Sequence, residues 1–383
     1  MLAAVTWSFA GKPLNSLLKS AAIAGAWLLG ASRVVASTAL GDYVTFSGFG
    51  TLGEVVTDTD DDIQFVRDRE AAGASRRPSF NVDSDLGLQL TAQPTKWLSG
   101  TVQTLTEQRS DINLSTEVEW AFVKLEPLDG LALRGGRMAL PMFLISDTRY
   151  VGYANTWLRP PDEVYALALL DRFQGADLSY RLPIGSTSLS MSVLAGASSI
   201  SSPGLPNVNV RDVNGVNAQW ESEWVTLRAG RVTGKVQIPP SEDHYTFSDL
   251  GAVVDHNNIV AQAEYVMRRS EYAPGSVDAN GWYLLGGYRF NAVLPYAIYA
   301  NARSPGSSSF HLQGDQSTVA AGVRWDAFKS AAIKFQVERV DTHDTIGVSF
   351  VTPIVSSPIG LPPISAPVTR PVAVFSLAVD FVF

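Results

Sequence analysis

Arg370-Pro-Val-Ala-Val-Phe-Ser-Leu-Ala-Val-Asp-Phe-Val-Phe383 is the stretch whose reading decides the fold. Phe375, Leu377, Val379, Phe381 and Phe383 recur at every second position, with Val374, Ser376, Ala378 and Asp380 between them. A period of two marks a β-strand, because successive side chains point to opposite faces. One face is apolar and ends in aromatics, while the other is small or polar. Such a strand suits a wall with hydrocarbon on one side and water on the other. It also suits the last strand of a soluble β-sandwich, so the rest of the chain must discriminate.

Composition narrows the choice. The chain has 383 residues, 46% hydrophobic and only 17% charged, with a mean hydropathy of +0.07. No internal apolar run reaches the ~20 residues of a membrane-spanning helix, so the apolar residues are spread along many elements. There is no Cys, which excludes a disulfide framework and thiolate metal or nucleophile chemistry. The net charge of −8 argues against nucleic acid as a partner.

Lys12 and Lys19 precede an apolar run, Ala21 to Ala31, and small residues follow it. That order is the pattern of a secretory signal, with cleavage after Ala36 or Ala39. It divides the chain into a signal peptide, 1–39, and a mature domain, 40–383. The mature part reads as strands near 43–56, 85–92, 100–109, 117–126, 131–138, 172–182, 187–197, 208–221, 224–236, 246–255, 259–269, 281–290, 294–303, 316–326, 330–341 and 371–383. Short connections such as Pro183–Ser186 and Asp255–Asn258 alternate with long ones such as Ser198–Asn207, Gln237–Tyr245 and Thr342–Thr369. A sandwich shows turns of mixed length, whereas alternating short and long connections mark an up-and-down barrel. Charged residues in mid-strand, such as Glu264, Lys334 and Asp380, are costly in a packed soluble core and cheap in a wet lumen. The fold class expected is all-β: a transmembrane antiparallel up-and-down β-barrel of sixteen strands.

One connection breaks the rule. Residues 139–171, ALPMFLISDTRYVGYANTWLRPPDEVYALALLD, are too long, apolar and aromatic for a solvated loop. Folding inward against the wall buries them and carries Asp147, Arg149, Arg159, Asp162 and Glu163 towards the channel. The basic residues are mostly arginine, and Arg172, Arg181, Arg228, Arg268, Arg289 and Arg324 fall in expected strands. Arg on the lipid face near the midplane costs about 2–4 kcal/mol, so these six are expected to face the lumen.

The first strand Val-Thr-Phe-Ser-Gly-Phe-Gly-Thr-Leu (44–52), Gly-Gly-Arg (135–137) before a long third loop, the signal sequence and the terminal Phe383 resemble Gram-negative general porins. The resemblance covers the mature chain. It implies a channel for passive diffusion of small hydrophilic solutes and ions, a homotrimer in outer-membrane lipid, and an inward-folded third loop as the constriction. Asp147, Asp162 and Glu163 would then form the loop side of that constriction, and Arg134 and Arg137 would belong to the basic wall. Phe381 and Phe383 would close the barrel and engage the barrel assembly machinery. The third loop departs from the compact acidic motif of cation-preferring porins at Trp157-Leu-Arg-Pro-Pro, which leaves ion preference open.

Other signals carry less. Gly48-Phe-Gly-Thr-Leu-Gly53 matches a dinucleotide fingerprint, but it lies in a strand rather than opening a helix. Asp58, Asp60, Asp61 and Asp62 lack the spacing of a calcium loop. His244, His256, His311 and His343 are scattered, so neither a metal site nor a cofactor is expected. No catalytic elbow is present, and the chain is expected not to be an enzyme. The competing readings are an outer-membrane barrel enzyme of the lipid-hydrolase type and a secreted soluble β-sandwich binding protein.

Overall fold

In the terminal strand Phe375, Leu377 and Val379 are exposed (43%, 48% and 37%), whereas Ser376 and Asp380 are buried (2% and 0%). The computed structural model describes residues 37–383 except residues 40, 69 and 353 and the segments 110–112, 201–207, 239–240, 272–277, 305–313 and 356–363. The expected signal sequence therefore lies outside the described residues, apart from Ser37–Ala39, which pair with the start of the first barrel strand.

Sixteen antiparallel strands form a closed barrel. They are β1 Val44–Thr57, β2 Asp85–Thr95, β3 Leu98–Gln108, β4 Leu114–Leu128, β5 Leu131–Ala139, β6 Arg172–Ile184, β7 Thr187–Ile200 and β8 Val208–Glu221. There follow β9 Val225–Ile238, β10 Ser241–His256, β11 Ile259–Ser270, β12 Ala279–Tyr288, β13 Val293–Arg303, β14 Gln316–Phe328, β15 Ala331–Asp341 and β16 Val372–Val382. Each strand pairs with its neighbours in sequence. β1 closes the ring, pairing with β2 from Val44↔Ala92 to Thr51↔Asp85 and with β16 from Phe49↔Val382 to Thr57↔Val374. Closure leaves no sheet edge for lipid to desolvate.

Tight turns set the register at one end. Asn257 and Asn258 hold φ of 50° and 69°, the doubly positive geometry that joins twisted strands in two residues. At the other end Gln237–Tyr245, expected to be a long loop, is a correction. Val236 pairs with Asp243 and Ile238 with Ser241, so β9 and β10 continue as a ladder. The 16-residue β10 exceeds the ~9–11 residues needed to cross hydrocarbon, which frees its upper part from the apolar alternation.

The outer face is a belt of exposed Leu52, Leu88, Leu250, Leu284, Val319 and Phe335, with Trp97, Trp224, Trp325, Phe290 and Phe328 exposed towards the short-turn end. Apolar side chains bounded by an aromatic girdle are what a lipid-embedded wall requires.

The inner face has two chemistries. Inward positions of β8–β14 are largely apolar, including Val213, Phe247, Tyr283, Leu285, Tyr296 and Ile298. Those of β2–β6 are polar: Gln103 donates to Gln89 (2.9 Å), Lys124 meets Glu126 (2.8 Å) and Arg134 grips Asp177 (3.0 Å). The described residues of loop 58–84 and of loop 342–371 meet beside the ends of β1 and β16. Gln64–Phe65 pairs with Phe350–Val351, over a cluster of Val55, Phe65, Val340, Phe350 and Val374.

Candidate functional site: the loop 140–171 and the passage beside it

After Ala139 the chain turns through 3-10 segments at Ser146–Thr148 and Gly152–Ala154. A four-residue helix, α1 Asp162–Tyr165, follows Pro160-Pro161. Pro161 holds φ −61° and ψ 120°, an extended backbone that stops α1 from extending backwards.

The apolar side chains of the loop are buried against the apolar half of the inner wall. Met142, Phe143, Leu144, Trp157, Tyr165 and Leu167 form one cluster with the inward residues of β8–β14. Phe143 lies 4.5 Å from Tyr165, and Trp157 stands edge-on to Tyr283 at 5.2 Å and 87°. Geometries of this kind add about 0.5–1.5 kcal/mol per pair to burial.

Buried polar groups fix the loop in place. Lys334 on β15 donates to the carbonyls of Gly152 (2.7 Å), Asn155 (2.8 Å) and Trp157 (2.6 Å), and pairs with Asp380 at 2.7 Å. Asp380 also accepts from Thr51 (2.8 Å). Glu264 on β11 accepts from the Leu144 amide (2.8 Å) and from Tyr165 (2.7 Å) and Tyr283 (3.2 Å). A buried charge is tolerated only when it is paired and hydrogen-bonded, and these are.

The residues expected at the channel are placed as follows. Arg159 is buried, held by Asp83 of loop 58–84 (2.9 and 2.7 Å), by Glu338 and by Ser376, with Phe65 under its guanidinium at 5.0 Å. Arg149 pairs with Asp68 (2.7 Å) and donates to the Tyr165 carbonyl (3.2 Å). Asp162 and Glu163 are buried against the wall, where Glu163 accepts from Gln316 (2.8 Å) and Thr318. Burial, then the neighbouring Glu163, pushes the Asp162 carboxyl well above the usual carboxylate range, and burial raises Glu163 as well. Asp147 is half-buried and lines the passage described below.

Arg134 faces inward on Asp177, with the Phe122 ring 5.5 Å away. Arg137 differs from expectation. Strand alternation sets it opposite Arg134 and the buried Met138, on the face of exposed Leu133, with Glu117 4.0 Å away. The six arginines expected in strands all have acceptors, although Arg289 lies one residue past the end of β12. Arg172 meets Glu119 (2.9 Å), Arg181 meets Glu221 (3.1 Å), Arg228 meets Asp249 (2.9 Å) and Arg289 meets Asp255 (3.0 Å). Arg324 meets Asp326 (2.8 Å) and the Asn155 carbonyl (2.6 Å), and Arg268 donates to the Leu167 carbonyl (3.1 Å). They are half of a paired network rather than a bare basic wall. Sequence reasoning read Lys334 and Glu264 only as mid-strand charges facing water, not as anchors of this loop, and did not select Gln316, the first residue of β14.

Three small cavities lie between the loop and the wall. A cavity of about 20 Å³ separates Asp147, Arg149 and Tyr150 of the loop from Phe49, Gln103, Glu119 and Trp120 of the wall. On the long-loop side a cavity of about 60 Å³ adjoins it, sharing Tyr150 and Asp171. Towards the short turns a third, about 80 Å³, lies between Thr148, Asn155 and Thr156 and the wall residues Gln219, Glu221, Asp255 and Arg289. Each is lined by polar groups and large enough for one or more waters.

Asp58, Asp60 and Asp61 are paired with Arg370 (2.8 Å), Arg76 (2.7 Å) and Arg77 (2.8 Å). Among the described residues no group of three or more His, Asp or Glu is placed to hold a metal ion.

No protein-family model matches this chain, and no curated protein matches it by sequence. Solved structures do match by shape. Salmonella typhi OmpF, in complex with daunomycin, is 14% identical, with 91% of this chain and 100% of that one covered and a TM-score of 0.59. The anion-selective porin from Comamonas acidovorans is 13% identical, covering 89% and 99%, with a TM-score of 0.56. In-vitro folded OmpT of Vibrio cholerae, an outer membrane protein in its trimer form, is 11% identical, covering 89% and 100%, with a TM-score of 0.51. Likeness at these identities concerns the fold, a porin-like β-barrel of the outer-membrane type.

Proposed function

We propose that this protein is an outer-membrane channel of restricted bore that passes small hydrophilic solutes and ions by diffusion, with no covalent chemistry. One observation carries the reading. The loop 140–171 packs on the apolar residues of β8–β14 and leaves two adjoining cavities beside the polar residues of β3, β4 and β6, with a third towards the short turns against Gln219, Glu221, Asp255 and Arg289. Water and solutes need hydrogen-bonding partners along a pore, and those polar residues supply them. The sixteen-stranded fold supports the same reading, since barrels of that size enclose room for an aqueous channel. On this reading the passage is narrowest between Tyr150 and the Gln103–Trp120 wall. A homotrimer is the natural assembly, supported by the trimer form of a protein with this fold. Phe381 and Phe383, at the end of the closing strand, are the handle for barrel assembly. The Phe383 ring already seats over Gly48 of β1.

Recording from the detergent-purified, heat-modifiable barrel in planar bilayers tests the reading. Discrete conductance steps are expected, smaller than those of a barrel with an open lumen. Folded protein that inserts and gives no steps overturns it. A lipid-hydrolysis assay on the same sample is expected to show no turnover.

A further inference from the structure

The cavity of about 60 Å³ on the long-loop side contains a carboxylate with unmet bonding capacity. Glu70, in loop 58–84, is 3% exposed, and its Oε2 accepts from the Arg67 amide at 3.0 Å. Among the described residues its Oε1, which is buried, has no hydrogen-bond partner, although the side chain lines the cavity. Arg67 does not satisfy it, because that guanidinium is engaged by Glu107 at 3.0 Å and stands 3.9 Å from Asp85. An unpaired buried carboxylate oxygen is costly, and a cation in the adjoining cavity removes the cost. The surrounding charge has the matching sign. Five carboxylates and three guanidiniums line the cavity.

Building on the channel reading, we propose that the passage is cation-selective and that Glu70 forms its entry subsite, taking a partly hydrated monovalent cation before the step past Tyr150. The cavity is large enough to keep water on such an ion, and among the described residues no group of three or more His, Asp or Glu is placed to hold a metal ion. Burial holds the Glu70 carboxyl well above its ordinary range, so a proton is the cation's natural competitor. Selectivity is therefore seated on loop 58–84, whereas Asp162 and Glu163 of the loop 140–171 are engaged with the wall.

Reversal potentials in a tenfold KCl gradient test this. The wild type is expected to prefer K+ over Cl−. Glu70→Gln is expected to lower that ratio roughly two- to fivefold, since the neutral amide no longer attracts a cation in the solvated cavity. Glu70→Asp is expected to retain the sign of the preference, and heat-modifiable migration checks that each variant folds. A wild type that prefers Cl−, or a folded Glu70→Gln with an unchanged ratio, overturns the assignment while leaving the channel intact. Absence of conductance in every variant overturns the channel reading itself and this inference with it.

Discussion

Lys334 is 0% exposed and bonds three carbonyls of a loop more than 170 positions earlier in the chain. Its loss strands the Trp157 carbonyl, leaves the Gly152 and Asn155 carbonyls to the Asn155 amide and Arg324 alone, and leaves Asp380 with only Thr51. Breaking a buried pair from one side costs about 3–5 kcal/mol. The barrel ladder does not depend on this contact, so the cost falls on loop docking. Lys334→Met is therefore expected to retain strand content and heat-modifiability, while trypsin gains access to Arg149 and Arg159. The paired change Lys334→Met with Asp380→Asn is expected to lose less than the single one, since no charge is then left unmatched. Equal protease resistance of wild type and single variant would remove Lys334 from its anchoring role. A second consequence concerns pH. Asp162 and Glu163 hold their protons more tightly in the folded chain than in the unfolded one, through burial above all. The docked state then binds more protons, so docking is strongest at low pH and weakens as pH rises past the ordinary carboxylate range. Cleavage within the loop is expected to be slower at pH 5 than at pH 8, and Asp162→Asn is expected to flatten the difference. A trend of opposite sign contradicts the argument.

At the level of elements, the strands were legible because lipid writes on them directly. Leu86, Leu88 and Leu90 alternate with Gly87 and Gln89, and all three leucines are exposed outward. Where the sheet rises above hydrocarbon that signal stops, and Gln237–Tyr245 reads as loop although Gln237, Ile238 and Ser241 to Tyr245 pair in register. The docking of loop 140–171 was legible only in part. Its apolar composition announced a buried segment, but not the wall it lies on, because the complementary positions are spread from β8 to β14. Gly281 on β12 illustrates what remained hidden. A Cβ there would collide with the Glu163 carbonyl and the Leu167 side chain, so α1 sits flush on bare backbone. Backbone cannot shift as cheaply as a side-chain tip, and overpacking costs about 1–3 kcal/mol. Gly281→Ala is accordingly expected to lift α1 from β12 without opening the β11–β12–β13 ladder. Tyr165 fluorescence and its quenching by Trp157, 6.2 Å away, would report the movement in a variant stripped of competing signal. An unchanged spectrum with unchanged protease resistance means that α1 does not rest on Gly281.

For the whole molecule, two layers carry separate loads: a hydrogen-bonded ring that supplies stability, and a packed loop that on the proposed channel reading sets the bore. The ring is complete without the loop, since β5 and β6 pair directly from Leu131↔Tyr180 to Ala139↔Arg172. The loop in turn is tied to loop 58–84 by Arg159–Asp83 and Arg149–Asp68, so the plug spans two connections. Replacing residues 143–168 by a short Gly-Ser linker should therefore preserve the barrel. It also uncovers Phe247, Tyr283 and Tyr296, which the loop buries. Those rings then face water, at about 25 cal/mol for each Å² of apolar surface exposed, and the melting temperature is expected to fall. Conductance is expected to move the other way, rising several-fold, because a sixteen-stranded ring without its plug encloses an aqueous channel. If cation preference is seated on Glu70 as proposed, rather than on the loop 140–171, it is expected to persist in sign after the deletion, weakened only by the wider bore. A deletion variant with wild-type conductance would place the narrow point elsewhere. One that loses all selectivity would return the charge filter to the loop.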